Sequence, residues 1–402
     1  MTGFMFLTHR MSMGYGVAVF VQELSRSLVQ AGYSVCIGCL STDYEMPGVP
    51  VFEITPDPVK IGSIATKNNA DIIVAFTTPF FEVLPLLVSR FKCYAWEAGD
   101  PSPFFFKDDA NKRREIILNK QLHVYPNING VIAISRFLTG KEEIHYHDAE
   151  VVYLGCDHIS DLGKKALDDI APSNEPLKIG TLIRLGEGES LYKGNSLFFD
   201  LCQKLIHNNM NVLCHIMGRG TKEDADIFER NGYRVYRNAT DEERAGYLRE
   251  MDIFISPSLW EGFNLPLVEA MRSGTLAMSF DAGAHPEVCP FIFSNIDEMI
   301  CQIKHYIKDR RLLLKDSERC YNYVNTRFKW NKTTASFIDI IKKYNQFQKM
   351  SVSGTSPLIT NVSMHIFRRK ELMFVKVIRY MKRNGIHKTA RKILNTLKIA
   401  KH

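Results

Sequence analysis

The sequence predicts an α/β protein with two parallel-sheet domains, and three observations support this fold class. Short apolar segments alternate with amphipathic helical patterns along most of the chain. The alternation comes in two successive runs, separated by a charged segment at residues 158–176 that is typical of a linker. The chain has 402 residues, more than a single hydrophobic core usually spans. Two such runs predict two sheets with a cleft between them.

Each run is predicted element by element. The first run begins with a strand at residues 3–7 and a helix over 17–30 whose C-terminal cap is Gly32, and its later strands are predicted at 35–40, 71–76, 93–96 and 130–134. The second run has a helix after Gly194 and a capping box at Thr240, and its strands are predicted at 177–182, 211–217, 233–236, 252–256 and 275–280.

These patterns divide the chain into four segments. Residues 1–170 are predicted to form an N-terminal domain and residues 171–330 a C-terminal domain. Residues 331–350 are predicted as a helix that packs back on the N-terminal domain, and residues 351–402 as a linker followed by a basic amphipathic tail.

Composition narrows the class of protein. The hydrophobic fraction of 45% is that of a folded globular chain. Nine cysteines are scattered, and the Cys36/Cys39 pair lacks a second Cys or His pair, so we expect buried thiols in a reducing compartment and no metal site. The N-terminus is predicted to be a strand and not a signal peptide, and no run of 18 apolar residues occurs. We therefore expect a cytoplasmic protein.

The basic character lies in the tail. Residues 351–402 hold twelve Lys or Arg and one acid, Glu371, so they carry +11, while the preceding 350 residues carry −4 of the total +7. Residues 367–399 have apolar positions at near-helical spacing among these bases, which favours an anionic membrane surface as partner. Packing on the body or on another subunit remains an alternative. Nucleic acid is not expected, because no recognisable nucleic-acid module accompanies the charge.

The most informative stretch is residues 257–269, which places Glu261 and Glu269 on either side of a change from loop to helix. A predicted strand precedes it, Pro266 suits the first helical turn, and Gly274 ends the apolar stripe. The N–H groups at the helix start can hold anionic or hydroxyl-rich ligands, and carboxylates accept hydrogen bonds from the hydroxyls of a ribose or hexose. The alternative is a pair of solvated glutamates on a surface helix.

This stretch resembles the Glu-x7-Glu signature of the retaining glycosyltransferases of family 4, and the resemblance extends over roughly the first 345 residues. Other segments match family motifs in the same order: the glycine loop at 12–17, and residues 131–137, 151–157, 184, 193–194 and 282–288. The resemblance implies the GT-B fold, in which two Rossmann-like halves face a cleft.

The resemblance also implies a donor site for a nucleotide sugar. Arg184 and Lys193 would bind the diphosphate, Glu269 the ribose, and Glu261 the transferred sugar. Arg184, Lys193 and Glu261 are thus the catalytic candidates, Glu261 through positioning and electrostatics. The full donor-binding set is Gly14, Gly16, Arg184, Lys193, Gly194, Glu261, Gly262, Phe263, Asn264, Leu265 and Glu269. A turn explains the two N-terminal glycines equally well.

The implied activity is transfer of the sugar, with retention, to a hydroxyl of a saccharide or lipid-linked glycan, as in cell-envelope polysaccharide synthesis. We expect no metal and no cofactor beyond the nucleotide-sugar substrate. One alternative is a catalytically silent relative that binds a nucleotide or glycan. Another is a dinucleotide-dependent oxidoreductase, although the chain lacks a full Gly-x-Gly-x-x-Gly followed by an acid.

The chain departs from the family pattern at two places. Asn264 replaces the usual glycine of the signature, and since Asn tolerates left-handed backbone, the turn is expected to persist while the side chain alters the sugar contacts. No histidine occurs at residues 96–103, where many members have one beside the transferred sugar. Glu97 and Asp100 are therefore the acceptor-side candidates, although either could instead cap the next segment.

Overall fold

The computed structural model describes residues 2–12, 14–43, 45–106, 108–139, 149–159, 162–186 and 190–353. Contacts divide the chain into two units, Met1–Ile341 and Lys342–His402. Both sheets and all the site residues discussed below lie in the first unit. Of the second unit, only the end of one helix is described, and the basic segment at 367–399 lies outside the described residues.

The N-terminal sheet has the order β3-β2-β1-β4-β5-β6-β7, and its strands pair in parallel. The order reverses between β1 and β4, which is where ligands bind in open sheets of this kind. The strands are β1 (Gly3–Met11), β2 (Ser34–Thr42), β3 (Val51–Glu53), β4 (Ile72–Ala75), β5 (Lys92–Glu97), β6 (Gly130–Ala133) and β7 (Glu150–Val151). The helices of this half are α1 (Gly16–Gln30), α2 (Pro58–Lys67) and α3 (Ala110–Asn119).

The C-terminal sheet repeats this arrangement with the order β10-β9-β8-β11-β12-β13, again in parallel. Its strands are β8 (Leu177–Arg184), β9 (Val212–Arg219), β10 (Arg234–Arg237), β11 (Ile253–Ser256), β12 (Leu276–Phe280) and β13 (Ile292–Phe293). Its helices are α4 (Ser190–Lys193), α5 (Asn195–His207), α6 (Lys222–Arg230), α7 (Asp241–Glu250), α8 (Leu265–Arg272), α9 (His285–Val288), α10 (Ile296–Lys308) and α11 (Arg310–Arg327). The two sheets confirm the predicted fold class.

The last described helix, α12 (Trp330–Ser353), contributes to the core of the N-terminal half. The ring of Phe337 is fully buried, 5.5 Å from that of Phe4 and 4.8 Å from that of Trp96. Phe20 and Phe76 complete this aromatic cluster through edge-to-face contacts. A residue late in the sequence therefore fills the centre of the first sheet's packing layer.

The chain crosses between the halves twice, and the two crossings lie side by side. Cys156 N–H donates to the carbonyl of Phe328, and Trp330 N–H donates to Asp157 Oδ1 at 2.7 Å. A β-carbon on Gly155 would lie 2.4 Å from the backbone nitrogen of Trp330. Only glycine leaves room for the two backbones to approach this closely.

The segment predicted to be a linker, residues 158–176, packs on the C-terminal half in its described part. Lys165 is buried and its ammonium donates to the carbonyl of Met251. Arg249 donates to Gly163 O, and Arg310 donates to Ala171 O. The charges in this segment meet fixed partners on the C-terminal half, so the segment packs as part of that half.

The sequence also missed the short strands β3, β7 and β13, which have only two or three residues each. Strands of this length carry no measurable alternation of apolar and polar residues, so periodicity cannot reveal them. Among the described residues, no helix is long and apolar enough to span a membrane.

Candidate donor site in the cleft

Three loops of the C-terminal half meet at the start of α8. A β-carbon on Gly194, which has a φ of 68°, would lie 1.9 Å from the carbonyl oxygen of Pro257. A β-carbon on Gly283 would lie 2.5 Å from the backbone nitrogen of Glu261, and Ala284 N–H donates to Glu261 O at 2.9 Å. The glycines therefore allow the junction between α4 and α5 and the loops after β11 and β12 to pack with their backbones in contact, at the carboxyl edge of the sheet.

Glu261 and Lys193 form the centre of this arrangement. Lys193 Nζ lies 2.8 Å from Glu261 Oε1, and Ser258 Oγ donates to the same oxygen at 2.8 Å. The side chain of Glu261 is 13% exposed and that of Lys193 is 27% exposed, so the pair is shielded but still reachable from the cleft. Within the described residues both contacts use Oε1, which leaves Oε2 to accept from a ligand hydroxyl.

Asn264 adopts the left-handed conformation that its residue type predicted, with φ at 75°, and its backbone caps α8. Its side chain is used inside the protein. Oδ1 accepts from Leu267 N–H, and Nδ2 donates to Ser256 Oγ at 2.7 Å and to His285 Nε2 at 2.8 Å. The hydrogen-bonding groups of the side chain are thus occupied within the protein and the residue is buried, while an effect of Asn264 on the sugar contacts stays a prediction.

The imidazole of His285 accepts the hydrogen bond from the Asn264 side chain. Its Nδ1 faces the carbonyl of Phe280 at 2.9 Å, so Nδ1 carries the proton and Nε2 accepts from the Asn264 amide. Burial lowers the pKa of His285, in agreement with this arrangement. The two residues thus join the loop before α8 to the loop before α9.

Glu269 lies one turn inside α8 and is buried. His158 Nε2 lies 2.8 Å from its Oε1, and the guanidinium of Arg244 lies 3.6 Å from its Oε2. Burial alone would raise the pKa of Glu269, but the Arg244 charge and the hydrogen bond from His158 outweigh it, so the pKa lies below its usual value. The carboxylate is therefore held ionised under the loop that carries Glu261.

Positive charge from both halves gathers around Tyr15, just before α1. The guanidinium of Arg10 lies 5.1 Å from the Tyr15 ring centroid and that of Arg184 lies 5.3 Å from it. Arg184 and Arg219 are register partners at the ends of β8 and β9, and a β-carbon on Gly14 would lie 2.7 Å from Arg219 Nη2. Gly14 and Tyr15 thus lie beside two arginines of the C-terminal half, a setting that suits a phosphate group.

The other predicted donor residues are placed as follows. Gly16 begins α1 and has open space around its Cα. The side chains of Phe263 and Leu265 are buried, so only their main-chain groups remain for a ligand. A β-carbon on Gly262 would lie 2.1 Å from Ala98 O, which brings the N-terminal half against this loop.

The acceptor-side candidates differ in position. Glu97 is 2% exposed and lies 2.8 Å from Lys120 Nζ, with Tyr125 also donating to it, so it faces the core of the N-terminal half. Asp100 also accepts from Lys120 but is 27% exposed. Ser102, and neither of the two acids, caps the following turn. Asp100 is therefore the more exposed of the two acids, and its role on the acceptor side stays a prediction.

Glu287 joins the halves directly. Its Oε2 accepts from Arg136 N–H at 2.9 Å and from Tyr153 O–H at 2.6 Å, while its Oε1 accepts from Phe137 N–H at 2.6 Å. A side chain from α9 thereby satisfies backbone donors in the turn after β6, on the other half.

Sequence reasoning missed several of these contacts. His158, Arg244 and Arg10 were not predicted as site residues, since each lies far along the chain from the residues it contacts. His285 and Glu287 lie in the predicted motif at 282–288, but their partners were not predicted. Arg219, between two glycines at the end of a predicted strand, was considered either for the rim of the donor pocket or for a plain turn. It is the last residue of β9 and lies at the edge where Arg184 lies.

Comparisons with known proteins agree with this architecture. The structure resembles sucrose-phosphate synthase from Thermosynechococcus elongatus, with a TM-score of 0.66 and 13% identity over 87% of this chain and 100% of that one. It also resembles the catalytic domain of starch synthase IV from Arabidopsis thaliana, with a TM-score of 0.63 and 12% identity over 85% and 99% of the two chains. At these identities the likeness concerns the fold, and the protein has the GT-B fold of glycosyltransferases.

Sequence comparison finds a family match in the C-terminal half. Residues 179–309 match the family described as glycosyl transferases group 1. The MMP alpha-(1->4)-mannosyltransferase of Mycolicibacterium hassiacum is 31% identical over 112 residues, which cover 26% of this chain and 27% of that protein. The matched part is thus about a quarter of that relative's length.

Proposed function

We propose that the protein is a retaining glycosyltransferase that moves a hexosyl group from a nucleotide-sugar donor to a hydroxyl of a saccharide or lipid-linked glycan. A role in cell-envelope polysaccharide synthesis, at the cytoplasmic face of a membrane, is part of the proposal. The contact between Lys193 and Glu261 at the start of α8 carries it, because one cation and one carboxylate stand 2.8 Å apart at the edge of the cleft. These two groups suit a sugar phosphate, the ammonium for its phosphate and the carboxylate for its hydroxyls.

The surrounding charges supply the rest of a donor site. Arg184, assisted by Arg219, stabilises the diphosphate as negative charge develops on it, and Lys193 adds a point charge. Glu269 receives the ribose, and Glu261 orients the transferred sugar. The similarity to a mannosyltransferase supports a hexosyl group as that sugar.

The proposed reaction needs no enzymic nucleophile. The bond from the anomeric carbon to the phosphate oxygen breaks, the acceptor oxygen bonds to that carbon on the same face, and the acceptor proton passes to the leaving phosphate. Asp100 stands on the acceptor side and can accept a hydrogen bond from another acceptor hydroxyl.

The donor class is tested by thermal shift with UDP-, GDP- and dTDP-sugars against NAD. We expect one nucleotide sugar to raise the melting temperature, because ligands that bind only the folded state stabilise it. Stabilisation by NAD alone would indicate an oxidoreductase. Binding without any transfer to saccharide acceptors would indicate a catalytically silent relative.

The two glutamates have separable roles. Glu261→Ala is expected to lower kcat about a hundredfold or more, since the sugar loses its positioning carboxylate in the transition state. Glu269→Ala is expected to raise the donor KM, because the ribose contact is made in the ground state as well. Glu229→Ala, which removes an exposed carboxylate on α6, is the matched control. Wild-type kinetics in either site variant would remove that residue from the site.

The basic tail at residues 367–399 is proposed to bind an anionic membrane surface, each base contributing about 1 kcal/mol there. Vesicles containing phosphatidylserine should co-float with the full-length protein and not with a chain ending at Met350. Equal flotation of the two would refute membrane binding by the tail.

A further inference from the structure

The two carboxylate oxygens of Glu269 have different surroundings. Oε1 is 2.8 Å from His158 Nε2. Oε2 is buried and has no hydrogen-bond partner within the described residues, its nearest cation being Arg244 at 3.6 Å. A buried carboxylate oxygen without a hydrogen bond costs free energy, so a ligand that donates one is favoured there.

The orientation of the His158 ring follows from a second contact. The indole Nε1–H of Trp330 lies 3.1 Å from His158 Nδ1. An indole can only donate, so Nδ1 must accept, and the ring proton is on Nε2. His158 therefore donates to Glu269 Oε1, and Trp330 selects the tautomer that allows it.

These partners come from outside α8. His158 follows the crossing from the N-terminal half, and Trp330 begins the helix that crosses back. Trp330 is anchored further by its backbone N–H to Asp157 Oδ1. The Glu269 carboxylate is thus oriented by the two crossings between the halves and not by its own helix.

We propose that His158 is a positioning residue for Glu269: it holds Oε1 so that Oε2 accepts a hydroxyl of the donor ribose. This inference rests on the proposed function, in which Glu269 receives the ribose. A fixed carboxylate loses less conformational freedom when it accepts the hydroxyl, so the hydrogen bond contributes more to affinity.

The test compares ligands with and without ribose hydroxyls. Affinities of UDP, GDP and ADP, and of their 2′,3′-dideoxy analogues, are measured by calorimetry with the full-length protein. His158→Leu is expected to weaken binding of the preferred ribonucleotide roughly tenfold, since a hydrogen bond to a charged group is lost. The affinity for the dideoxy analogue is expected to stay within about twofold of the wild-type value, because this analogue has no ribose hydroxyls to bind Glu269.

Two further variants keep the inference falsifiable. His158→Gln retains an N–H donor at similar reach and should restore most of the ribonucleotide affinity, whereas the shorter His158→Asn should not. If His158→Leu fails to fold, the Gln and Asn variants alone decide the question. The role of His158 would be refuted if His158→Leu lost equal affinity for ribo- and dideoxynucleotides, or if His158→Gln and His158→Asn bound the ribonucleotide equally well. Failure of every nucleotide to bind the wild-type protein would instead refute the proposed function.

Discussion

At the scale of single residues, His215 is a buried histidine without a polar partner among the described residues. It lies in β9, is fully buried, and stacks on Tyr236 with a ring-plane angle of 15°. Neither ring nitrogen has a hydrogen-bond partner among the described residues. Burial lowers the pKa of His215 to about 4, from an ordinary value of 6.5.

This shift predicts acid sensitivity. Between pH 6.5 and 4 the unfolded chain takes up a proton at His215 that the folded chain does not, so the free energy of unfolding falls as the pH falls. Above pH 6.5 this group makes no difference. His215→Phe should therefore reduce the loss of stability between pH 7.5 and 4.5, measured by urea unfolding at each pH.

His207→Gln is the control for this prediction, because it removes an exposed imidazole from the same half. Its stability loss over the same pH interval should match that of the wild-type protein. An equal pH dependence in His215→Phe and wild type would show that His215 does not titrate differently on unfolding.

Residue type predicted some of the site and missed other parts of it. The left-handed backbone of Asn264 followed from its chemistry, but its pairing with His285 could not, since 21 positions and a strand separate the two. Glu97 was considered because no histidine stands at residues 96–103, yet it pairs with Lys120, on a helical turn that follows α3, in the core of the N-terminal half. The environment of each side chain depends on partners that are distant in the sequence, and local sequence patterns do not identify those partners.

At the scale of elements, the parallel strands carry the site. Because β8 and β9 pair with Arg184 opposite Arg219, neighbouring strands deliver two guanidiniums to one edge without any help from loops. Gly194 then begins α5 in a left-handed conformation directly after Lys193. Apolar periodicity predicted these strands and helices, since they are long enough to show it. The two- and three-residue edge strands were missed for the opposite reason.

At the scale of the whole molecule, Glu287 links the two sheet-bearing halves. Its carboxylate accepts two backbone N–H groups and one phenol from the N-terminal half. Glu287→Ala is expected to lower the free energy of unfolding by about 2 kcal/mol, because those donors lose a charged acceptor. Denaturant unfolding measures the loss, and hydrogen exchange at Arg136 and Phe137 should accelerate.

Glu318→Ala provides the comparison. Glu318 pairs with Lys164 at 2.5 Å, but its side chain is 49% exposed, so its removal should leave the free energy of unfolding almost unchanged. Similar losses for the two variants, with unchanged exchange at residues 136 and 137, would mean that Glu287 does not hold the halves together.

The position of Phe337 has a consequence for the order of synthesis. The strands of the N-terminal sheet end at Val151, but the ring that fills the centre of its aromatic cluster is encoded 186 positions later. At a translation rate of about 5–20 residues per second, roughly 10–40 s separate these two points. During that interval the nascent N-terminal half lacks the ring that packs on Phe4 and Trp96, so its aromatic cluster is incomplete until Phe337 is made.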